Sequence, residues 1–131
     1  MNDAGDRTVS AEPPHISIVD DDAAIRDALR SLMRSVRFHV DAFASAEEFL
    51  ASDRVQDTEC LILDLYLPGM TGFELQERLR MNRPDIPIIF ITAHADEASR
   101  SRALKGGAVE LLAKPVRREA LFKAIQSAIH S

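Results

Sequence analysis

Apolar positions along the chain fall into two alternating patterns. Short solid runs, His15-Ile16-Ser17-Ile18-Val19, Cys60-Leu61-Ile62-Leu63 and Ile88-Ile89-Phe90-Ile91, have the length and branched side chains of buried strands. Residues 22–36 instead space Ile25, Ala28, Leu29, Leu32, Met33 and Val36 along one helical face. Residues 116–130 do the same with Leu121, Ala124, Ile125, Ala128 and Ile129. Phe38 to Phe43 reads as a second, more polar strand near a sheet edge. Ala108 to Leu112 reads as a short fifth strand entered through Gly106-Gly107. Ser45-Ala46-Glu47-Glu48 and Thr71-Gly72-Phe73-Glu74 have the capping-box pattern, so each opens a helix. Pro84 and Pro87 bracket a tight connection. The segment from Asp96 to Lys105 has Leu104 as its only large apolar residue. Little burial should hold that helix, which places it among the elements that open easily.

Five strands alternating with five helices predict an α/β domain with a parallel sheet covered on both faces. Right-handed crossovers make it an open doubly wound fold. Ligands then sit beyond the carboxyl ends of the strands. Residues 1–14 are expected to form a mobile tail ending in the stiff step Pro13-Pro14, with residues 15–131 as the folded domain.

Composition narrows the function. At 131 residues the length suits one domain, and 46% hydrophobic with 28% charged residues is ordinary for a globular protein. A net charge of −5 argues against direct nucleic-acid binding by this domain. The longest apolar run is too short for a membrane span, and the N-terminus lacks a signal pattern, so a cytoplasmic location is expected. The single cysteine, Cys60, rules out an internal disulfide and reads as a buried thiol.

The strand ends carry the chemistry. The first ends in Asp20-Asp21-Asp22, the third in Asp64, the fourth in Thr92-Ala93-His94 and the fifth in Ala113-Lys114-Pro115. Neighbouring parallel strands lie about 4.8 Å apart. Asp20, Asp21 and Asp64 should therefore crowd together, and like charges that close disfavour ionisation. A divalent cation relieves that, and oxygen donors suit Mg²⁺, or Mn²⁺, rather than zinc. Asp22 reads as a helix cap. Asp64 itself remains open as nucleophile, metal ligand or cap. Lys114 suits a phosphoryl group as a point charge, and a cis bond to Pro115 would aim it sharply. The Thr92 hydroxyl can donate to a phosphoryl oxygen. Small Ala93 leaves access open, and His94 reads as a partly exposed residue that gates water, with a proton donor or acceptor near neutral pH as the alternative.

Taken in order, Ile18-Val19-Asp20-Asp21-Asp22, Leu63-Asp64, Leu67-Pro68-Gly69-Met70-Thr71-Gly72, Ile91-Thr92-Ala93 and Lys114-Pro115 resemble the receiver domain of two-component response regulators. The likeness covers residues 15–130 and looks most like the FixJ/NarL-type and NtrC-type receivers. It implies a flavodoxin-like strand order 2-1-3-4-5. It also implies that Asp64 accepts a phosphoryl group from a sensor histidine kinase phosphohistidine. Asp21 would bind Mg²⁺ directly, Asp20 mostly through water, and the Tyr66 carbonyl would be a further ligand. Thr92 and Lys114 would hold the phosphoryl oxygens. Tyr66 and His94 occupy positions that influence the phosphoryl lifetime in the family. The chain departs from the family at Leu111, where Tyr or Phe often stands and swings inward. Coupling between Thr92 and the signalling face would then be weaker or use packing alone.

The resemblance makes this a phosphorylated switch rather than a turnover enzyme. A phosphorylation-dependent homodimer through the fourth helix and fifth strand is expected, with a DNA-binding effector as a possible output. Arg100, Arg102, Lys105, Glu110, Arg117, Arg118 and Glu119 offer either a charged dimer or output surface there, or a solvated face. A haloacid-dehalogenase-type phosphatase is the enzyme alternative, but it would want Asp where Tyr66 stands. A nucleotide- or flavin-binding module on a similar fold would want a glycine-rich loop where Asp20-Asp21-Asp22 stands.

Overall fold

The computed structural model describes residues 12–130. Most of the expected tail, residues 1–11, therefore lies outside the described residues. The elements run β1 (His15–Val19), α1 (Ala23–Ser35), β2 (His39–Phe43), α2 (Ala46–Ala51), β3 (Cys60–Asp64), α3 (Gly72–Asn82), β4 (Ile88–Thr92), α4 (Glu97–Lys105), β5 (Glu110–Ala113) and α5 (Arg118–Ile129). All neighbouring strands pair in parallel, in the order β2-β1-β3-β4-β5. The more polar β2 is an edge, as its composition predicts.

Side-chain alternation along the strands builds two cores. Ile16, Ile18, Ile62, Ile89 and Ile91 point to the face covered by Leu29 and Met33 of α1 and Leu121 and Ile125 of α5. Val19, Leu61, Leu63, Phe90 and Leu111 point to the other face, against Phe49 of α2, Leu75 and Leu79 of α3 and Ala103 of α4. Strands buried on both faces have no polar side to show, which is why β3 and β4 read as solid apolar runs. Cys60 sits in this interior, and burial pushes its thiol up to about 12.

Several element ends differ from the sequence reading for identifiable reasons. The fifth strand starts at Glu110 rather than Ala108, because the Ala108 N–H closes α4 by bonding the Ala103 carbonyl at 3.0 Å. Thr71 and Glu74 form the full reciprocal capping box. At α2 only half of it forms: Ser45 accepts the Glu48 N–H, while Glu48 accepts from Ala44 one residue earlier. The Lys114–Pro115 peptide is cis.

Candidate functional site

The strand ends converge as the topology requires. Val19 is the register partner of Leu63, so Asp20 leaves β1 beside Asp64, the last residue of β3. Ligand oxygens of Asp20, Asp21 and Asp64 lie within 4.8 Å of one another. Asp20 and Asp64 are buried, while Asp21 is exposed. Lys114 reaches in from the end of β5, its Nζ 2.9 Å from Asp20 Oδ2 and 3.2 Å from Asp64 Oδ2. Its N–H donates to the Thr92 carbonyl at 2.8 Å, which anchors the lysine to the end of β4.

Three carboxylates against one ammonium leave the pocket electrically unbalanced. Burial pushes the Asp64 carboxyl above the usual carboxylate range, and the Asp20 charge adds to this; Lys114 and the Tyr66 N–H pull the other way without winning. For Lys114, burial pulls the ammonium down, but its contacts to Asp20 and Asp64 outweigh that and hold it above the usual lysine range. Asp20 Oδ2 is buried with no hydrogen-bond partner. Its neighbour is the Lys114 ammonium, an ion-pair contact at 2.9 Å. A buried carboxylate oxygen in that state has a lone pair open to a cation. The donors are all oxygens, which fits Mg²⁺ or Mn²⁺.

The turn between β1 and α1 holds these acids. Asp20 Oδ1 accepts the Asp22 N–H at 2.9 Å. Asp22 caps α1 by accepting from Ala24 and Ile25, which is the role read for it from the sequence. Arg26 was missed by sequence reasoning: its Nη1 donates to the Asp20 carbonyl at 2.8 Å. An arginine four residues after the cap, one helical turn on, was the available signal.

Thr92 is wholly buried, and its hydroxyl oxygen accepts the His94 N–H at 3.1 Å. Tyr66 is 54% exposed and donates its N–H to Asp64 Oδ1 at 3.3 Å. Its ring meets His94 edge-on, with centroids 6.2 Å apart.

The fourth helix buries little, as its sequence leads one to expect: even Leu104, its one large apolar residue, is 40% exposed. The buried residue of that helix is Ala103, whose carbonyl accepts from the buried Gln76 amide of α3 at 3.1 Å. Part of the expected charged set makes contacts within the chain. Arg100 pairs with Glu110 at 2.7 Å and donates to the Leu111 carbonyl. Arg102 lies over the Phe73 ring at 4.1 Å, and Arg118 over Phe122 at 5.5 Å. Leu111 is buried and packed on the α3–α4 side of the sheet.

Residues 16–126 match the model for the response regulator receiver domain. Nodulation protein W of Bradyrhizobium diazoefficiens is 43% identical over 124 residues, which is 95% of this chain and 55% of that protein. Transcriptional regulatory protein FixJ of the same organism is 38% identical over 115 residues, 88% of this chain and 56% of that protein. The solved structure of response regulator StyR superposes with a TM-score of 0.82 at 45% identity, covering 90% of this chain and 60% of that one. The chain therefore spans about half the length of the curated relatives it matches.

Proposed function

The chain belongs to the response regulator receiver domains, and on that premise we propose that Asp64 is its phosphoryl acceptor. The observation that carries this reading is Lys114 Nζ set between Asp20 Oδ2 and Asp64 Oδ2, at 2.9 and 3.2 Å. One cation bridges Asp64 and Asp20, an acid of the proposed metal site. The donor is a phosphohistidine on a sensor histidine kinase. An Asp64 carboxylate oxygen attacks phosphorus, and the phosphorus–nitrogen bond breaks. Its electron pair returns to the imidazole, which takes up a proton, and an acyl phosphate remains on Asp64.

The transition state for such a transfer is loose, so positioning and charge neutralisation do most of the work. When bound, Mg²⁺ supplies positive charge to the phosphoryl oxygens. Asp20, Asp21 and Asp64 would hold it, with the Tyr66 carbonyl as a further ligand. Lys114 adds a second positive charge, and Thr92 donates its hydroxyl to a phosphoryl oxygen. No general base is needed, because the nucleophile is already a carboxylate. Tyr66 and His94 screen the acyl phosphate from water and lengthen its life.

The output is a change at the α4–β5 face. Thr92 and Lys114 are joined through the main chain, so engaging a phosphoryl group with both tightens the ends of β4 and β5 together. With Leu111 in place of an aromatic ring, that movement passes by packing to α4. A homodimer through this face, controlling a DNA-binding effector in the longer protein, is the form of output this reading favours. We place the exchange in the cytoplasm; no described helix is long and apolar enough to cross a membrane.

Incubation with acetyl phosphate and Mg²⁺ tests the assignment. Intact mass spectrometry should show one phosphoryl adduct, absent in Asp64→Asn. Rapid turnover of many phosphate esters without a stable adduct would instead favour a phosphatase.

A further inference from the structure

Arg26 stands on α1 beside an acid-rich turn, yet its guanidinium is not spent on a carboxylate. Nη1 donates to the main-chain carbonyl of Asp20 at 2.8 Å, and among the described residues Arg26 makes no ion pair. That carbonyl is the joint between β1 and the turn carrying Asp20 and Asp21. The other polar groups of Asp20 are also tied. Its N–H donates to the Phe43 carbonyl at 3.1 Å, and Oδ1 accepts from the Asp22 N–H at 2.9 Å. The oxygen left without a hydrogen bond is Oδ2, on the side of Asp64 and Lys114.

We propose that Arg26 is a positioning residue for divalent-cation binding. By holding the Asp20 carbonyl, it locks the turn so that Oδ2 of Asp20 and the Asp21 carboxylate stay gathered with Asp64. The proposal rests on reading the acid cluster as an Mg²⁺ site. Groups that orient first ligands raise affinity by sparing the cost of ordering them at binding.

The sign of the effect separates positioning from charge. A guanidinium near a cation site repels the cation, so on charge alone Arg26→Gln should tighten Mg²⁺ binding. If Arg26 works by fixing the turn, the same substitution weakens it. The protein is suited to the measurement, because it has one Tyr and no Trp. That tyrosine is Tyr66, whose N–H sits on Asp64, so intrinsic fluorescence reports from the site itself.

The experiment titrates MgCl₂ into the unaltered chain, Arg26→Gln and Arg26→Lys, with melting curves run on each. Calorimetric titration accompanies the fluorescence. We expect Arg26→Gln to weaken binding about tenfold, the scale of lost outer contacts at metal sites. Arg26→Lys, which keeps a donor and the charge, should fall between it and the unaltered chain. Equal or tighter binding by Arg26→Gln overturns the positioning role, as does a lowered melting temperature with unchanged affinity. No saturable Mg²⁺ binding by the unaltered chain, in either readout, overturns the metal-site reading and this role with it.

Discussion

Gly72 lies against the main chain of Asp64. A Cβ placed on it would stand 2.5 Å from the Asp64 carbonyl oxygen and 2.9 Å from Leu65 Cα. Both neighbours are backbone at the end of β3 and cannot swing aside. Alanine is worth about 1 kcal/mol over glycine inside an ordinary helix. Here the overlap should win, and Gly72→Ala should destabilise the fold by about 1–3 kcal/mol. Phosphorylation by acetyl phosphate should slow as well, since the displaced strand end carries the acceptor. Urea unfolding that shows Gly72→Ala at or above the parent stability would refute this.

The raised Asp64 carboxyl makes a signed prediction about pH. Burial first, and Asp20 second, make the folded chain hold this proton more tightly than the unfolded chain does. The stability Asp64 contributes is therefore fully present below its unfolded pKa and is lost as pH rises through its raised folded value. Asp64→Asn should consequently be the more stable protein at neutral pH without metal, by on the order of 1 kcal/mol. The difference should close in acid. Lys114 behaves likewise at the other end of the scale: its contribution is present below the usual lysine value and is lost as pH rises through its higher folded value. Denaturant midpoints for the pair across pH, in chelator, check both. A gap between the two proteins that does not vary with pH contradicts the first claim.

Tyr66 and His94 should govern the lifetime of the phosphorylated state. Their rings meet edge to face at a centroid distance of 6.2 Å, and the Tyr66 N–H donates to Asp64. Replacing both with alanine should open a path for water and speed loss of the phosphoryl group about tenfold, or about 1.4 kcal/mol off the barrier. Timing decay of the phosphorylated chain by mass spectrometry decides it, and an unchanged half-life removes the screening role.

Gln76 should set how readily α4 opens. Its buried amide donates to the Ala103 carbonyl, while α4 itself buries Ala103 and leaves Leu104 exposed. Gln76→Ala removes a hydrogen bond worth about 1 kcal/mol, so α4 amides should exchange roughly fivefold faster. Exchange in α1 should be unaffected, since it packs on the other face of the sheet. A uniform change across the protein would show instead that Gln76 supports the whole fold.

Much of the molecule was determined by the sequence alone. Solid apolar runs marked β3 and β4, because a strand covered on both faces has few polar positions; β1 read as a strand despite Ser17, which is buried with its hydroxyl bonded to Thr58. Helical spacing marked α1 and α5, since each must present one apolar stripe to the sheet. Parallel topology then sent every strand-end residue to one edge, so Asp20, Asp21, Asp64, Thr92 and Lys114 were legible as a group before any coordinate. Tertiary structure decided what needs distances and directions. It put Lys114 on both Asp20 and Asp64, left Asp20 Oδ2 without a hydrogen bond, and turned Arg26 to a carbonyl rather than a carboxylate. It also made Ala103, not Leu104, the buried residue of α4. Periodicity records which residues are apolar and how they are spaced. A weakly amphipathic helix such as α4 has too few apolar residues for spacing to choose its inner face, so its neighbours chose it.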